Sequence, residues 1–211
     1  MAIKHPDRRL LWLGVVMNNE ELINRAIEYI RELFDGNAGG HDAAHSIRVY
    51  RNALQIAEKE SACDLTVVSM AALLHDVDDH KLFDTENNAN ARVFLERNAV
   101  PDDSIEEICS VINAVSFSRN RGKHPDTLEG KIVQDADRLD ALGAIGIART
   151  FAYGGEHGRS IEESVQHFYD KLLLIKDELN TVSARGIASK RHEFLEAYIS
   201  ELKDELHNTY M

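Results

Sequence analysis

Ala71-Ala72-Leu73-Leu74-His75-Asp76-Val77-Asp78-Asp79 runs four apolar residues straight into one histidine and three carboxylates. Val67, Val68 and Met70 carry the apolar pattern back towards Asp64, and this spacing predicts a helix from Asp64 into His75. A core helix rarely sets so much ionisable density against an apolar run, because burying unpaired charge is costly. Two readings fit. Either the imidazole and carboxylates are ligands of a metal ion, or the helix leaves the core here with Asp78 and Asp79 solvated.

Outward from this stretch the periodicity stays helical. Leu22, Ile23, Ala26, Ile27, Ile30, Leu33 and Phe34 repeat at three-and-four spacing after Asn18-Asn19, and the Gly36–Gly40 break ends that helix. A second helix is expected from His41-Asp42, with Asp42 as N-cap, to about Lys59. A shorter one is expected near 87–98. The next is opened by Pro101, with Ser104-x-x-Glu107 read as a capping box.

Beyond a Gly/Pro/Arg-rich loop around 118–126, helices are expected at 127–136 and 137–152. Gly154-Gly155-Glu156-His157-Gly158-Arg159 then forms a loop before the capping box Ser160-Ile161-Glu162-Glu163, followed by helices over 160–179 and 186–207. No stretch alternates with period two, and no repeat or low-complexity linker occurs. The expected fold class is all-α: a single helical bundle over residues 18–211, with residues 1–17 as an N-terminal extension.

Composition narrows the function. With 24 basic against 36 acidic residues the formal net charge is −12, which argues against a stable DNA partner. An anionic small molecule needs only a local positive site, and a metal supplies one. Cys63 and Cys109 have no metal-like spacing and sit among apolar residues, so packing in a reducing cytoplasm is expected. The apolar run Leu10–Met17 after Arg8-Arg9 is too short to span a membrane, and no small-x-small cleavage site follows it. No membrane partner is expected.

Two further segments weigh on the metal question. His41-Asp42-Ala43-Ala44-His45-Ser46-Ile47-Arg48 offers histidines at i and i+4, and Gln134-Asp135-Ala136-Asp137-Arg138-Leu139-Asp140 sets three carboxylates around an arginine. Three such clusters on three predicted helices fit a metal centre assembled between helices of a bundle.

His45, then Leu74-His75-Asp76, then Ala136-Asp137-Arg138-Leu139 match the ordered pattern H…HD…D, and in this the chain resembles the HD-domain metal-dependent phosphohydrolases. The string from Leu128 through Asp137-Arg138-Leu139-Asp140-Ala141-Leu142-Gly143 to Phe151 is similar to one bacterial branch of small stand-alone HD proteins. Some members of that branch resemble nucleoside triphosphate pyrophosphohydrolases. The match covers about residues 20 to 205.

The resemblance implies metal ligands His45, His75, Asp76 and Asp137, with Asp76 and Asp79 as catalytic carboxylates. Asp79 is the residue expected to handle the attacking water, being one helical turn beyond His75, and Asp78 is its rival. His41-Asp42 is a second HD pair, for which a cap or supporting role is expected. Asp135 and Asp140 compete with Asp137, but only Asp137 occupies the Ala-Asp-Arg position.

Arg48, Lys81, Arg119, Lys123 and Arg138 are the candidate substrate-binding residues. Arg119, Arg121, Lys123 and His124 form the dense basic loop, readable as a substrate-closing segment or as a solvated one. Arg149 is expected on the far face of its helix. The chain departs from the branch at Val115, where relatives often carry histidine before Ser-Phe-Ser.

The implied cofactor is a divalent metal (Mn, Mg, Ni, Co, Fe or Zn). The implied partner is a phosphorylated small molecule, a nucleotide. The implied reaction is phosphohydrolysis, including triphosphate to monophosphate and pyrophosphate. The alternatives are a nucleotidase, a signalling-nucleotide hydrolase, or a nucleotide-binding regulatory module with negligible turnover. A homodimer is compatible with the amphipathic C-terminal helix.

Overall fold

A computed structural model describes residues 18–36, 42–60, 62–116, 120 and 122–208. The expected extension 1–17, together with His41, Arg119 and Arg121, lies outside the described residues. The fold is all-α, with no strand among the described residues. In chain order the helices are α1 (Asn19–Leu33), α2 (Ala43–Ala57), α3 (Leu65–Leu74), α4 (Ala89–Arg97), α5 (Asp102–Val115), α6 (Leu128–Asp140), α7 (Gly143–Glu156) and α8 (Ile161–Asp170). A 3-10 segment (Leu172–Glu178) and the long α9 (Val182–Asn208) complete it.

The bundle is organised around α3. Every residue from Val67 to Leu74 is buried, the signature of a helix surrounded on all sides. Ala71 and Ala72 let neighbouring helices approach closely, while Met70, Leu73 and Leu74 are fully buried, each stabilising by roughly 1.5–3 kcal/mol. Around α3 pack α1, α2, α5 and α6, and α2 lies along α6 as well. The second group, α7, α8, the 3-10 segment and α9, packs on the α6 side.

Local chemistry sets the helix ends. Asp42 accepts from the His45 backbone N–H at 2.6 Å, so the N-cap expected of it is present. Asp64 caps α3, and Ser160 with Glu163 forms the expected reciprocal capping box of α8.

Three expectations are corrected. Pro101 itself occupies the N-cap position of α5, which leaves Ser104 inside the first turn rather than at a cap. The break between the sixth and seventh helices falls at Ala141–Leu142, not near 136, because Gly143 turns the chain with φ +70. The segment expected as one helix over 160–179 is α8 plus the 3-10 segment, with the break at Lys171.

Candidate metal centre and cavity

The site is made where three helices meet. α3 ends at Leu74 and the chain continues in tight turns through Asp78, so His75 and Asp76 stand at the end of the central helix. His45 comes from the first turn of α2, and Asp137 from the last turn of α6. His45 Nε2 lies 3.3 Å from His75 Nε2 and 3.4 Å from both Asp76 Oδ2 and Asp137 Oδ1. His75 Nε2 is 3.3 Å from Asp76 Oδ2 and 3.8 Å from Asp137 Oδ1.

Each imidazole is oriented through its other nitrogen. His75 Nδ1 donates to the Ala72 carbonyl at 3.0 Å, and His45 Nδ1 donates to Asp140 Oδ2 at 2.8 Å. Both Nε2 lone pairs therefore face one another and two carboxylate oxygens. That arrangement is unfavourable unless positive charge sits among them. Burial by itself would push both histidines down, yet the carboxylates reverse the effect. Asp137, Asp140 and Asp76 raise His45, while Asp76 and Asp137 pull His75 up to about 9.

The donor set fits a divalent metal. The ligand atoms of His45, His75 and Asp137 lie within 4.8 Å of one another, close enough to share one ion, and Asp76 stands against both imidazoles. The mixture of imidazole and carboxylate suits a borderline divalent cation.

Asp140 supports the cluster without joining it. Besides His45 it accepts Arg48 Nε at 2.7 Å and Arg48 Nη2 at 3.0 Å, and Arg149 Nη1 donates to Asp140 Oδ2. Burial opposes its ionisation, but His45, Arg48 and Arg149 hold its carboxyl well below the usual carboxylate range. Arg149 was expected on the far face of its helix. It reaches the site instead, because α7 starts only at Gly143 and so presents a different face.

The cluster lines a cavity of about 450 Å³. Asp79 is on its wall and accepts the Lys81 backbone N–H at 2.8 Å, although no helix joins it to His75. Asp78 also reaches the wall, but its carboxylate accepts the Asn90 and Ala91 backbone N–H groups at 2.9 and 3.0 Å. It thereby caps α4, whose own N-cap residue Asn88 makes no side-chain capping bond. Asp135 points away from the metal cluster and binds the Asn180 and Thr181 backbone N–H groups, each at 2.8 Å, ahead of α9.

The candidate substrate-binding residues divide. Lys81 lines the cavity. Arg48 is bidentate on Asp140. Arg138 touches the cavity edge, but its side chain is only 1% exposed, and its guanidinium donates to the Glu178 carbonyl beside the Glu178 carboxylate. The 3-10 segment thus supplies partners for its charge at the cavity edge. Lys123 is exposed and off the cavity wall, and its neighbour His124 bonds Asn180. Arg119 lies outside the described residues. Val115 is 1% exposed within the apolar core and absent from the wall.

Sequence reading missed Arg159, His167 and Lys171, which line the same cavity from α8 and the turns flanking it. Their signal was faint: basic residues following a glycine-rich turn in an acidic chain.

Comparison with known proteins places this geometry. Residues 42–142, which contain all four clustered donors, match the HD domain family. The chain is 39% identical over 187 residues to the YpgQ protein of Bacillus subtilis (strain 168), covering 84% of this chain and 90% of that one. The structure of Bacillus subtilis YpgQ in complex with ADP superposes with a TM-score of 0.74 at 35% identity, covering 87% of this chain and 97% of that one. An HD-superfamily hydrolase from Bacillus thuringiensis gives a TM-score of 0.75 at 36% identity over 90% and 99% of the two chains. From the ordered ligand pattern, the three-helix cluster and these matches, the chain belongs to the HD-domain family.

Proposed function

We propose that this chain is a divalent-metal-dependent phosphohydrolase that acts on nucleotides, cutting a nucleoside triphosphate to the monophosphate and pyrophosphate. The observation that carries the reading is the convergence of His45, His75, Asp76 and Asp137 in a cavity that also receives Lys81, Arg149 and Lys171. A volume of about 450 Å³ suits a nucleotide-sized ligand. The ADP held by the related YpgQ supports a nucleotide rather than a bare phosphate ester.

His45, His75 and Asp137, with Asp76 beside them, would hold a divalent ion, which would supply Lewis acidity to a phosphoryl oxygen and a lowered pKa for water. The chain's own residues do the rest. Asp140 holds the His45 ring in register, and the Ala72 carbonyl does the same for His75. Asp79, on the wall and outside the ligand cluster, accepts the proton of the attacking water as that water's oxygen bonds to phosphorus. The anhydride oxygen leaves with its electron pair on pyrophosphate, stabilised by nearby cations. Mixed imidazole and carboxylate donors would suit Mn, Fe, Co, Ni or Zn, and substrate phosphate would be able to bring Mg.

The test is a nucleotide-hydrolysis panel across these metals, with phosphate and pyrophosphate measured separately. Metal-dependent pyrophosphate release from triphosphates is expected. Orthophosphate from monophosphates alone would make the protein a nucleotidase. Nucleotide binding by metal-loaded protein without any turnover would make it a binding module.

A further inference from the structure

Metal binding at this site requires two helices to keep a fixed approach. His45 belongs to α2 and Asp137 to the last turn of α6, with His45 Nε2 3.4 Å from Asp137 Oδ1. One ion bridges such a pair only while that approach holds. The last turn of a helix is poorly suited to hold it, because its carbonyls have no partners within the helix. Here the same turn also carries Asp140, which orients His45.

Arg191, from α9, reaches both helices at once. Its Nη1 donates to the Leu139 carbonyl of α6 at 2.6 Å, and its Nη2 donates to Asn52 Oδ1 of α2 at 3.0 Å. Asn52 closes the loop, donating from Nδ2 to the Ala136 carbonyl at 3.2 Å. The two carbonyls so held, Ala136 and Leu139, flank Asp137 along α6. Asn52 itself stands two turns beyond His45 among the buried residues of α2.

The path of the arginine depends on the turn that it crosses. A Cβ at Gly143, where φ is +70, would lie 3.1 Å from Arg191 Cγ and 3.2 Å from Arg191 Cβ. Glycine therefore both makes the α6–α7 turn and lets the arginine stem pass over it. Both acceptors are neutral oxygens, and among the described residues no carboxylate lies within 4.0 Å of the guanidinium. The charge meets the electronegative C-terminal end of α6. What the planar fork adds is direction: two donors at fixed angles, aimed at acceptors on different helices.

We propose that Arg191 is a positioning residue of the metal centre: with Asn52 it forms a strut that fixes α2 against the last turn of α6, and so holds His45 and Asp137 within reach of one ion. The long helix α9, which carries none of the four donors, thereby governs metal affinity. This rests on the metal-centre reading of the site, but metal binding tests it without any turnover.

The experiment is titration of Mn²⁺, by competition with a chelating dye, into the full chain as wild type, R191M, N52A, the R191M/N52A double variant and R185Q. Arg185 is the control: it also lies on α9 and donates to two backbone carbonyls, Leu179 and Asn180, but these acceptors lie outside α2 and α6. R191M and N52A are each expected to weaken Mn²⁺ binding by about tenfold. The double variant is expected to bind no more weakly than R191M, because both changes break one strut. R185Q binds Mn²⁺ as wild type does, even where its melting temperature falls. Thermal melts establish that each variant is folded, and N52A carries the comparison if R191M is not. Wild-type affinity in either single variant overturns the strut. So do losses that multiply in the double variant, or a loss in R185Q as large as that in R191M. A wild-type chain that binds no Mn²⁺ overturns both the strut and the metal-centre reading. Weakened binding in the variants, with no nucleotide hydrolysed by wild type, upholds the strut and overturns the enzyme reading; hydrolysis by wild type with unchanged affinity in the variants does the reverse.

Discussion

Asp140 Oδ2 accepts the Nδ1 proton of His45 at 2.8 Å, so a carboxylate from α6 determines which nitrogen of an α2 histidine faces the metal cluster. The same carboxylate anchors Arg48 and Arg149, which neutralise it. Asp140→Asn is expected to keep the fold and lower metal affinity by about 10- to 100-fold, the usual effect of removing a partner that orients a ligand. Competition against a chelating dye checks this, and wild-type affinity would leave His45 oriented by something else.

His75→Ala and Asp76→Ala are each expected to abolish metal retention while preserving helical content. Each removes a donor that the end of α3 sets against the His45 imidazole or the Asp76 carboxylate. Elemental analysis after desalting measures it, and full metal occupancy in both variants would sink the ligand assignment.

Metal and proton compete for the same lone pair. Asp76 and Asp137 overcome the effect of burial and raise His75 to about 9. In metal-free protein the charged His75 therefore contributes stability that is fully present below its ordinary value of about 6.5 and lost as pH rises through about 9. Metal binding must displace that proton. The rise in melting temperature on adding Mn²⁺ under nitrogen should accordingly be larger at pH 8.5 than at pH 6.5 (about these values). A rise that is the same at both values, or smaller at the higher one, contradicts the competition.

Asp79 lines the cavity and is not part of the donor cluster. Asp79→Asn is expected to retain metal and lose about 100-fold or more of turnover, within the range for removing a positioned base. Steady-state rates alongside metal analysis separate the two effects. Near-normal turnover would remove Asp79 from proton handling.

Asp78 has a different task. Its carboxylate bonds the Asn90 and Ala91 N–H groups at the start of α4. Asp78→Ala should cost about 1–2 kcal/mol of folding stability, as loss of a helix cap does, with the metal retained. Urea denaturation measures the cost. A variant as stable as wild type would show that the cap is dispensable.

The helical character, the capping residues Asp42 and Ser160 and the central role of α3 follow from periodicity and side-chain chemistry along the chain, because helix-forming interactions span only three or four residues. The ordered set His45, His75-Asp76 and Asp137 was legible because its resemblance to a family carried information that spacing alone lacks. Which of three nearby aspartates does what was not legible. Asp135, Asp137 and Asp140 sit on one helix within six positions, yet one holds the start of α9, one joins the metal cluster and one orients His45. Asp78 and Asp79 diverge in the same way, since α3 stops at Leu74 and turns replace the helical register that local reading assumed. Arg138 and Arg149 take partners that lie outside their own helices' local register, the Glu178 carbonyl and the Asp140 carboxylate. A side chain's helix is set by its neighbours in sequence, but its partner is set by what other helices bring to within about 3 Å, and only the packed tertiary structure decides that.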